Sequence, residues 1–270
     1  MISNSFAGNR IAIITGGAGM LGREHAVALS QDGCVVILID CEPMKLEEAA
    51  REVSSRCAKA EVHIFLCDIT SENEVDVTIK RIAARFGQID ILINNAAINH
   101  VPGDNVGINS FDNFDVVLWQ RECDVGLTGT LLMCKYVGRI MQRQSNGVIV
   151  NISSDLSVIS PDQRIYQSDD SKESFIKPIS YSIIKTGLIG LTRYLSTYWA
   201  NQGIRVNALS PGGIYDNQSK QFTEKLHNLI PMGRMAEKDE YHEAIRFLCG
   251  PGSKYMTGQN LIIDGGRTVW

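Results

Sequence analysis

The chain has 270 residues, 44% of them hydrophobic, and a net charge of −4, which suffices to bury a full core and predicts one α/β domain over residues 1–270. With a sequence pI of about 5.8, no basic helix face and no run of five like charges, the composition argues against nucleic acid and anionic membranes and for a small-molecule substrate. Met1 to Arg10 lacks the positive-then-apolar organisation of a signal peptide, and no apolar run approaches the ~20 residues of a membrane span, so a cytoplasmic protein is expected.

In chain order, Ile11 to Thr15 reads as the first strand and runs into Thr15-Gly16-Gly17-Ala18-Gly19-Met20-Leu21-Gly22, then a helix containing His25 to Leu29. Glycines at such a junction allow a tight turn and let backbone amides approach a pyrophosphate at a helix N-terminus, where peptide dipoles favour anions. The second strand, Val35 to Ile39, is closed by Asp40, eighteen residues beyond Gly22, which completes a dinucleotide fingerprint. A carboxylate there accepts from a free ribose 2′-hydroxyl and repels a 2′-phosphate, and Cys41 rather than arginine follows, so NAD is expected over NADP. Asp40 also suits a cap for the helix Pro43 to Cys57.

Strands Val62 to Cys67 and Ile89 to Ile93 enclose a helix over Ser71 to Phe86. A helical stretch from Phe111 to Gln144 precedes strand Val148 to Ile152. From Asp155 to Ile179 the chain is polar and turn-rich, the composition of a functional lid or a disordered stretch. A helix over Ser180 to Gln202 and strands Val206 to Leu209 and Asn260 to Ile263 complete a βαβα rhythm. It predicts a doubly wound, Rossmann-type parallel sheet of about seven buried strands flanked by helices. The seven cysteines make no CxxC pair and the five histidines are scattered, so reduced structural thiols and no metal site are expected.

Within the helix after the polar stretch, Tyr181 and Lys185 stand four residues apart and share one face. An ammonium beside a phenol favours the phenolate and moves a pKa near ~10 toward one useful for proton transfer. The same spacing also occurs in ordinary surface helices.

These segments together resemble the short-chain dehydrogenase/reductase superfamily over nearly the whole chain. The resemblance rests on the glycine turn, Cys67-Asp68-Ile69, Asn94-Asn95-Ala96-Ala97, Asn151-Ile152-Ser153-Ser154, Tyr181 with Lys185, Arg205 to Gly212, and Asp264-Gly265-Gly266. It implies an NAD site made by Thr15, Gly16, Gly17, Gly19, Met20, Leu21, Gly22, Asp40, Cys41, Asp68, Ile69, Asn95, Ala96, Ala97, Tyr181, Lys185, Pro211, Gly212 and Ile214. In it Asp68 meets the adenine, Asn94 supports the sheet, and Pro211-Gly212 lies against the nicotinamide. It implies that Ser154 orients the substrate oxygen, Tyr181 is the acid/base, and Lys185 holds the nicotinamide ribose while lowering the Tyr181 pKa. Ser154 as a turn former and Asp68 as a helix cap are the alternatives. The family habit further implies a homotetramer or dimer packed through the helix of Tyr181 and the C-terminal strand.

The chain departs from the family pattern in three places. Gly16, Gly19 and Gly22 follow the spacing of the extended branch, with Met20 where the classical branch has glycine; the length leaves no room for an appended substrate domain, so the classical branch is expected. Gly126, in Asp124-Val125-Gly126-Leu127-Thr128-Gly129, stands where an asparagine usually serves the proton relay; a water replaces the missing amide or the relay is lost, and the glycine is expected to preserve the helix kink with catalysis surviving. Ser154 and Tyr181 are 27 residues apart, more than usual, which places an insertion at about 155–180 beside the substrate. Tyr166 is a decoy followed by Asp170 rather than lysine. Arg164 is expected to offer its guanidinium to an anionic substrate group, with Asp155, Asp162 or Gln163 on hydroxyls; the alternative is a surface pair with Asp162 or Asp169. The insertion and the ending Asp264 to Trp270 are also similar to oxidoreductases of bacterial surface-polysaccharide and nonulosonic-acid gene clusters, implying a sugar or amino-sugar derivative. The activity expected is alcohol–carbonyl interconversion with NAD. The alternatives are a 3-oxoacyl-thioester reductase and a weakly catalytic NAD-binding accessory subunit or sensor.

Overall fold

The β-branched runs become strands of one wholly parallel sheet. The computed structural model describes residues 10–100, 110–167 and 175–270. Its strands are β1 (Ile11–Thr15), β2 (Val35–Asp40), β3 (Glu61–Leu66), β4 (Ile91–Asn94), β5 (Gly147–Ile152), β6 (Ile204–Pro211) and β7 (Asn260–Ile263). They lie in the order β3-β2-β1-β4-β5-β6-β7, with Ile14 of β1 opposite Leu38 on one side and Ile93 on the other. Chain progression reverses between β1 and β4, and such a switch point opens a crevice at the carboxyl ends of the strands.

The helices are α1 (Met20–Gln31), α2 (Pro43–Arg56), α3 (Glu72–Phe86), α4 (Val116–Cys123), α5 (Thr130–Gln144), α6 (Ile179–Tyr198), α7 (Lys220–His227) and α8 (His242–Cys249). Successive strand residues face opposite sides, so Ile14 and Leu38 pack under α1, α2 and α8 with Leu29, Leu46 and Ile245. Their neighbours Ile13 and Ile37 pack under α3, α5 and α6 with Ile79, Val137 and Leu195. Covering both faces is why the central strands are almost entirely apolar. No helix among the described residues is long and apolar enough to cross a membrane.

Three local expectations change. β3 is an edge strand with only Phe65 buried, because it has a neighbour on one side alone. The helix expected from Phe111 starts at Val116, where Asp115 caps it by accepting from the Val117 N–H at 2.8 Å. It is then interrupted by a π-turn over Asp124–Gly129 before α5. The polar insertion holds short 3₁₀ turns at Asp155–Ser157 and Gln163–Tyr166, and residues 168–174 lie outside the described residues. Ile165 packs into a small cluster with Leu226, Ile230 and Met235, while the Gln163 side-chain amide pairs with both the N–H and the carbonyl of Lys177, at 2.9 and 3.2 Å.

Candidate active site

A cleft of about 440 Å³ opens at the carboxyl ends of the strands. Strand order arranges its lining: Asp40 from β2, the glycine turn from β1, Asn95 to Ala97 from β4, Ser154 from β5, and Pro211, Gly212 and Ile214 from β6.

At the glycine turn the geometry fits a dinucleotide. Gly16 has φ +60°, and a Cβ there would lie 2.7 Å from the Ala96 Cα; one on Gly22 would lie 2.2 Å from the Gly16 carbonyl oxygen. Side chains are therefore excluded at both positions, which keeps the N-terminus of α1 close to the strand ends. Gly16, Gly19, Met20 and Leu21 line the cleft, whereas Thr15, Gly17 and Gly22 form its support. Thr15 Oγ1 accepts from the N–H groups of Asn95 and Ala96 at 3.0 and 3.1 Å, and Asn95 Nδ2 donates back to the Thr15 and Gly16 carbonyls.

Asp40 does two things at once. Its Oδ2 accepts from the Ala18 N–H at 3.1 Å, and its Oδ1 from Cys41 N–H at 2.8 Å and Glu42 N–H at 3.3 Å. The carboxylate thus holds the turn toward α2 while facing the cleft, with acceptor capacity left for a ribose hydroxyl. Cys41, Asp68 and Ile69 do not line the cleft. Asp68 Oδ1 accepts from the N–H and hydroxyl of Thr70, and Ile69 is buried under the π-turn beside Gly129. Asn94 Nδ2 donates to Asn151 Oδ1 at 2.9 Å, and Asn151 Nδ2 to Thr192 Oγ1 at 2.8 Å, so a buried amide chain ties β4 through β5 to α6.

That tie positions Tyr181 and Lys185. Lys185 is gripped twice by the end of β5: its Nζ donates to the Ile152 carbonyl at 2.8 Å and its own carbonyl accepts from Ser153 Oγ at 2.8 Å. Its ammonium lies 5.6 Å from the centroid of the Tyr181 ring. Burial pushes the Tyr181 phenol up to about 12, with hydrogen bonding from Ser154 pulling the other way and the Asp155 charge adding to the rise. Burial also lowers Lys185 to about 8. Desolvation disfavours both charged forms, so in the protein alone the phenol sits above its ordinary value, against the expectation that Lys185 brings it down.

Gly126 is buried in the π-turn, with its carbonyl accepting from Thr130 Oγ1 at 3.0 Å. A Cβ there would lie 2.4 Å from Ile184 Cγ2. The kink is kept, and α6 packs so closely that the glycine leaves no room for the usual asparagine.

On the substrate side the residues sort differently from expectation. Arg164 is exposed, holds Asp162 at 2.7 Å and does not line the cleft; the surface-pair alternative describes its position. Asp155 does line it. Its Oδ1 accepts the Ser154 hydroxyl at 2.8 Å, and its Oδ2 accepts from Arg267 Nη1 at 2.7 Å. Tyr166 also faces the cleft, its ring against Phe175 and Phe222 and its phenol pushed up by burial. Arg267, Tyr166 as a wall residue, and Lys177 are absent from the sequence-based site. The Lys177 ammonium stands 4.2 Å from the Tyr181 centroid and donates to the Asn99 side chain and the His100 carbonyl. Lys177 precedes α6 and is separated from it by Pro178, so no helical spacing marked it, and nothing local marked Arg267.

A family model described as "Enoyl-(Acyl carrier protein) reductase" matches residues 17–268. The chain is 28% identical over 266 residues to D-threitol dehydrogenase of Mycolicibacterium smegmatis, covering 96% of this chain and 93% of that one. It is 32% identical over 267 residues to cis-4-hydroxycyclohexanecarboxylate dehydrogenase of Sinomonas cyclohexanicum, covering 96% and 97%. The structure of a short-chain dehydrogenase from Leptospira borgpetersenii with bound NAD+ superposes with a TM-score of 0.85 at 31% identity, covering 100% and 96% of the two chains. With the glycine turn, the Ser154, Tyr181 and Lys185 arrangement and these likenesses in one cleft, the chain belongs to the classical short-chain dehydrogenase/reductase family of oxidoreductases.

Proposed function

We propose that the protein is an NAD-dependent oxidoreductase interconverting an alcohol and a carbonyl on a small polar substrate, a polyol, sugar or amino-sugar derivative. The observation that carries this is that Ser154, Tyr181 and the buried Lys185 line the same cleft as Asp40 and the glycine turn. Bound NAD would supply the site that accepts or returns the hydride. Gly16, Gly19, Met20, Leu21, Asp40 and Pro211 to Ile214 would hold that cofactor, with Asp40 selecting a free 2′-hydroxyl. Ser154 holds the substrate oxygen and Tyr181 moves its proton. A polar wall of Asp155, Tyr166, Lys177 and Arg267 supports a hydroxylated substrate, and a dehydrogenase of D-threitol among the relatives supports the same class.

With its phenol held up to about 12, Tyr181 is protonated at neutral pH, the state that donates to a carbonyl oxygen. Alcohol oxidation needs the phenolate, so its rate is expected to climb with alkaline pH while carbonyl reduction does not. NADH formation across a panel of polyols, sugars and amino sugars tests the proposal. Turnover of 3-oxoacyl thioesters with NADPH would replace it; tight NAD binding with no turnover would make the protein an accessory subunit or sensor. The same proposal includes a homotetramer or dimer. Tyr194 and Tyr198 on α6, together with Val269 and Trp270, are exposed apolar surface for it, and light scattering on the purified protein checks it.

A further inference from the structure

Proton transfer at Tyr181 does not by itself call for the charge pair beside it. Asp155 is 3% and Arg267 6% exposed, and the pair joins the end of β5 to the C-terminal segment across 112 residues. Burying two such ions costs several kcal/mol each before their attraction offsets it, and a purely structural tie could be apolar. Both side chains line the cleft with Ser154 and Tyr181.

A guanidinium carries five N–H donors and a carboxylate about four acceptor sites. Among the described residues, Asp155 is the only hydrogen-bond acceptor for the Arg267 side chain, through one nitrogen. Asp155 in turn uses one oxygen on Arg267 and the other on the Ser154 hydroxyl. Donors and lone pairs are left over on both groups. Side by side, a neutral pair offering one of each matches a hydroxyl, which accepts and donates at once; a substrate carboxylate or phosphate would meet the Asp155 charge. The Asp155 Oδ1 to Ser154 Oγ distance of 2.8 Å puts this group one hydrogen-bond length from the residue that holds the reacting oxygen.

We propose that Arg267 and Asp155 recognise a second oxygen on the carbon next to the reacting one, so that the substrate is a vicinal diol or its α-hydroxy ketone. This rests on the alcohol–carbonyl function proposed above. Asp155 has a second task as a positioning residue: by accepting the hydrogen bond of the Ser154 hydroxyl it turns a Ser154 lone pair toward the substrate hydroxyl.

The test compares trans-cyclohexane-1,2-diol with cyclohexanol in two assays. One is NADH formation; the other is equilibrium binding to the NAD-saturated protein by ligand-detected NMR titration. The variants are Arg267→Lys, which keeps the charge but loses the fork, and the neutral pair Asp155→Asn with Arg267→Gln, which leaves no unpaired ion; melting curves confirm that each folds. In the wild type the diol is expected to bind about tenfold or more tightly than cyclohexanol, a gain of about 1.4 kcal/mol. Both variants should remove most of that preference, mainly by raising KM for the diol. No preference in the wild type, a preference unchanged in both variants, or equal losses for the two alcohols would overturn the assignment. If the wild type forms no NADH from either probe, the panel of polyols, sugars and amino sugars decides the oxidoreductase proposal separately, and the titration still decides the role of Arg267.

Discussion

At the cofactor end of the cleft the work is done largely by backbone, whereas at the substrate end side chains from distant segments meet. Gly16, Gly19 and Gly22 act by lacking a side chain, and Asp40 reaches back to Ala18 across 22 residues. Ser154, Asp155, Tyr181 and Arg267 come together only because β5, α6 and the C-terminal turn share one strand end. A backbone site tolerates changes in neighbouring side chains and fixes what all members of a fold family bind. A convergent side-chain site can be rebuilt by moving one residue, and that is where specificity lies.

The largest expected effect would break the substrate end while sparing the other. Tyr181→Phe should lower kcat by about 10²–10⁴-fold, the usual contribution of a positioned acid or base, with NAD binding by calorimetry unchanged. Loss of NAD binding in parallel would mean that the two ends are not separable.

Lys185 gives the next effect. Burial lowers it to about 8 from 10.5, so between these values the unfolded chain carries the proton and the folded one does not. Stability from this group therefore rises with pH across that window and is at its poorest below it. Lys185→Met is expected to stabilise the NAD-free protein at pH 7 by up to about 3 kcal/mol, less the lost bond to the Ile152 carbonyl, and the advantage should shrink to nothing by about pH 10.5. An advantage constant across pH would show that desolvation of the ammonium is not the cause.

Gly126 and Ile184 sharpen how α6 is seated. Gly126→Ala should cost about 1–3 kcal/mol by overpacking, and Ile184→Ala should rescue it by removing the Cγ2 that lies in the way. A coupling of about 1 kcal/mol or more in thermal melts is expected; additive losses would mean that the contact is relieved elsewhere. The smallest effect belongs to the cofactor end. Asp40→Ala should shift the ratio of kcat/KM for NAD over NADP by about tenfold toward NADP, and an unchanged ratio would show that the carboxylate only holds the turn to Cys41 and Glu42.

Legibility in the sequence followed the same division. The strands were readable because both faces are covered, and the glycine turn because its chemistry is contiguous. Tyr181 and Lys185 were readable as a pair because helical periodicity puts i and i+4 on one face. Their electrostatics were not, since burial opposes the charge of either group and a sequence does not display burial. Arg164 was the arginine visible beside the insertion, yet a two-residue reach to Asp162 satisfies it locally.

By itself the sequence determined the doubly wound sheet and marked the glycine turn with Asp40 and the Tyr181 and Lys185 pair, because each of these is written in short-range spacing, whereas Ser154 entered through the family resemblance. Tertiary structure alone decided that Gly126 is locked by Ile184 and that Lys177 covers the ring of Tyr181. It alone decided that Arg267, near the far end of the chain, supplies the guanidinium at the site, because packing brings those groups together across separations that no local pattern records.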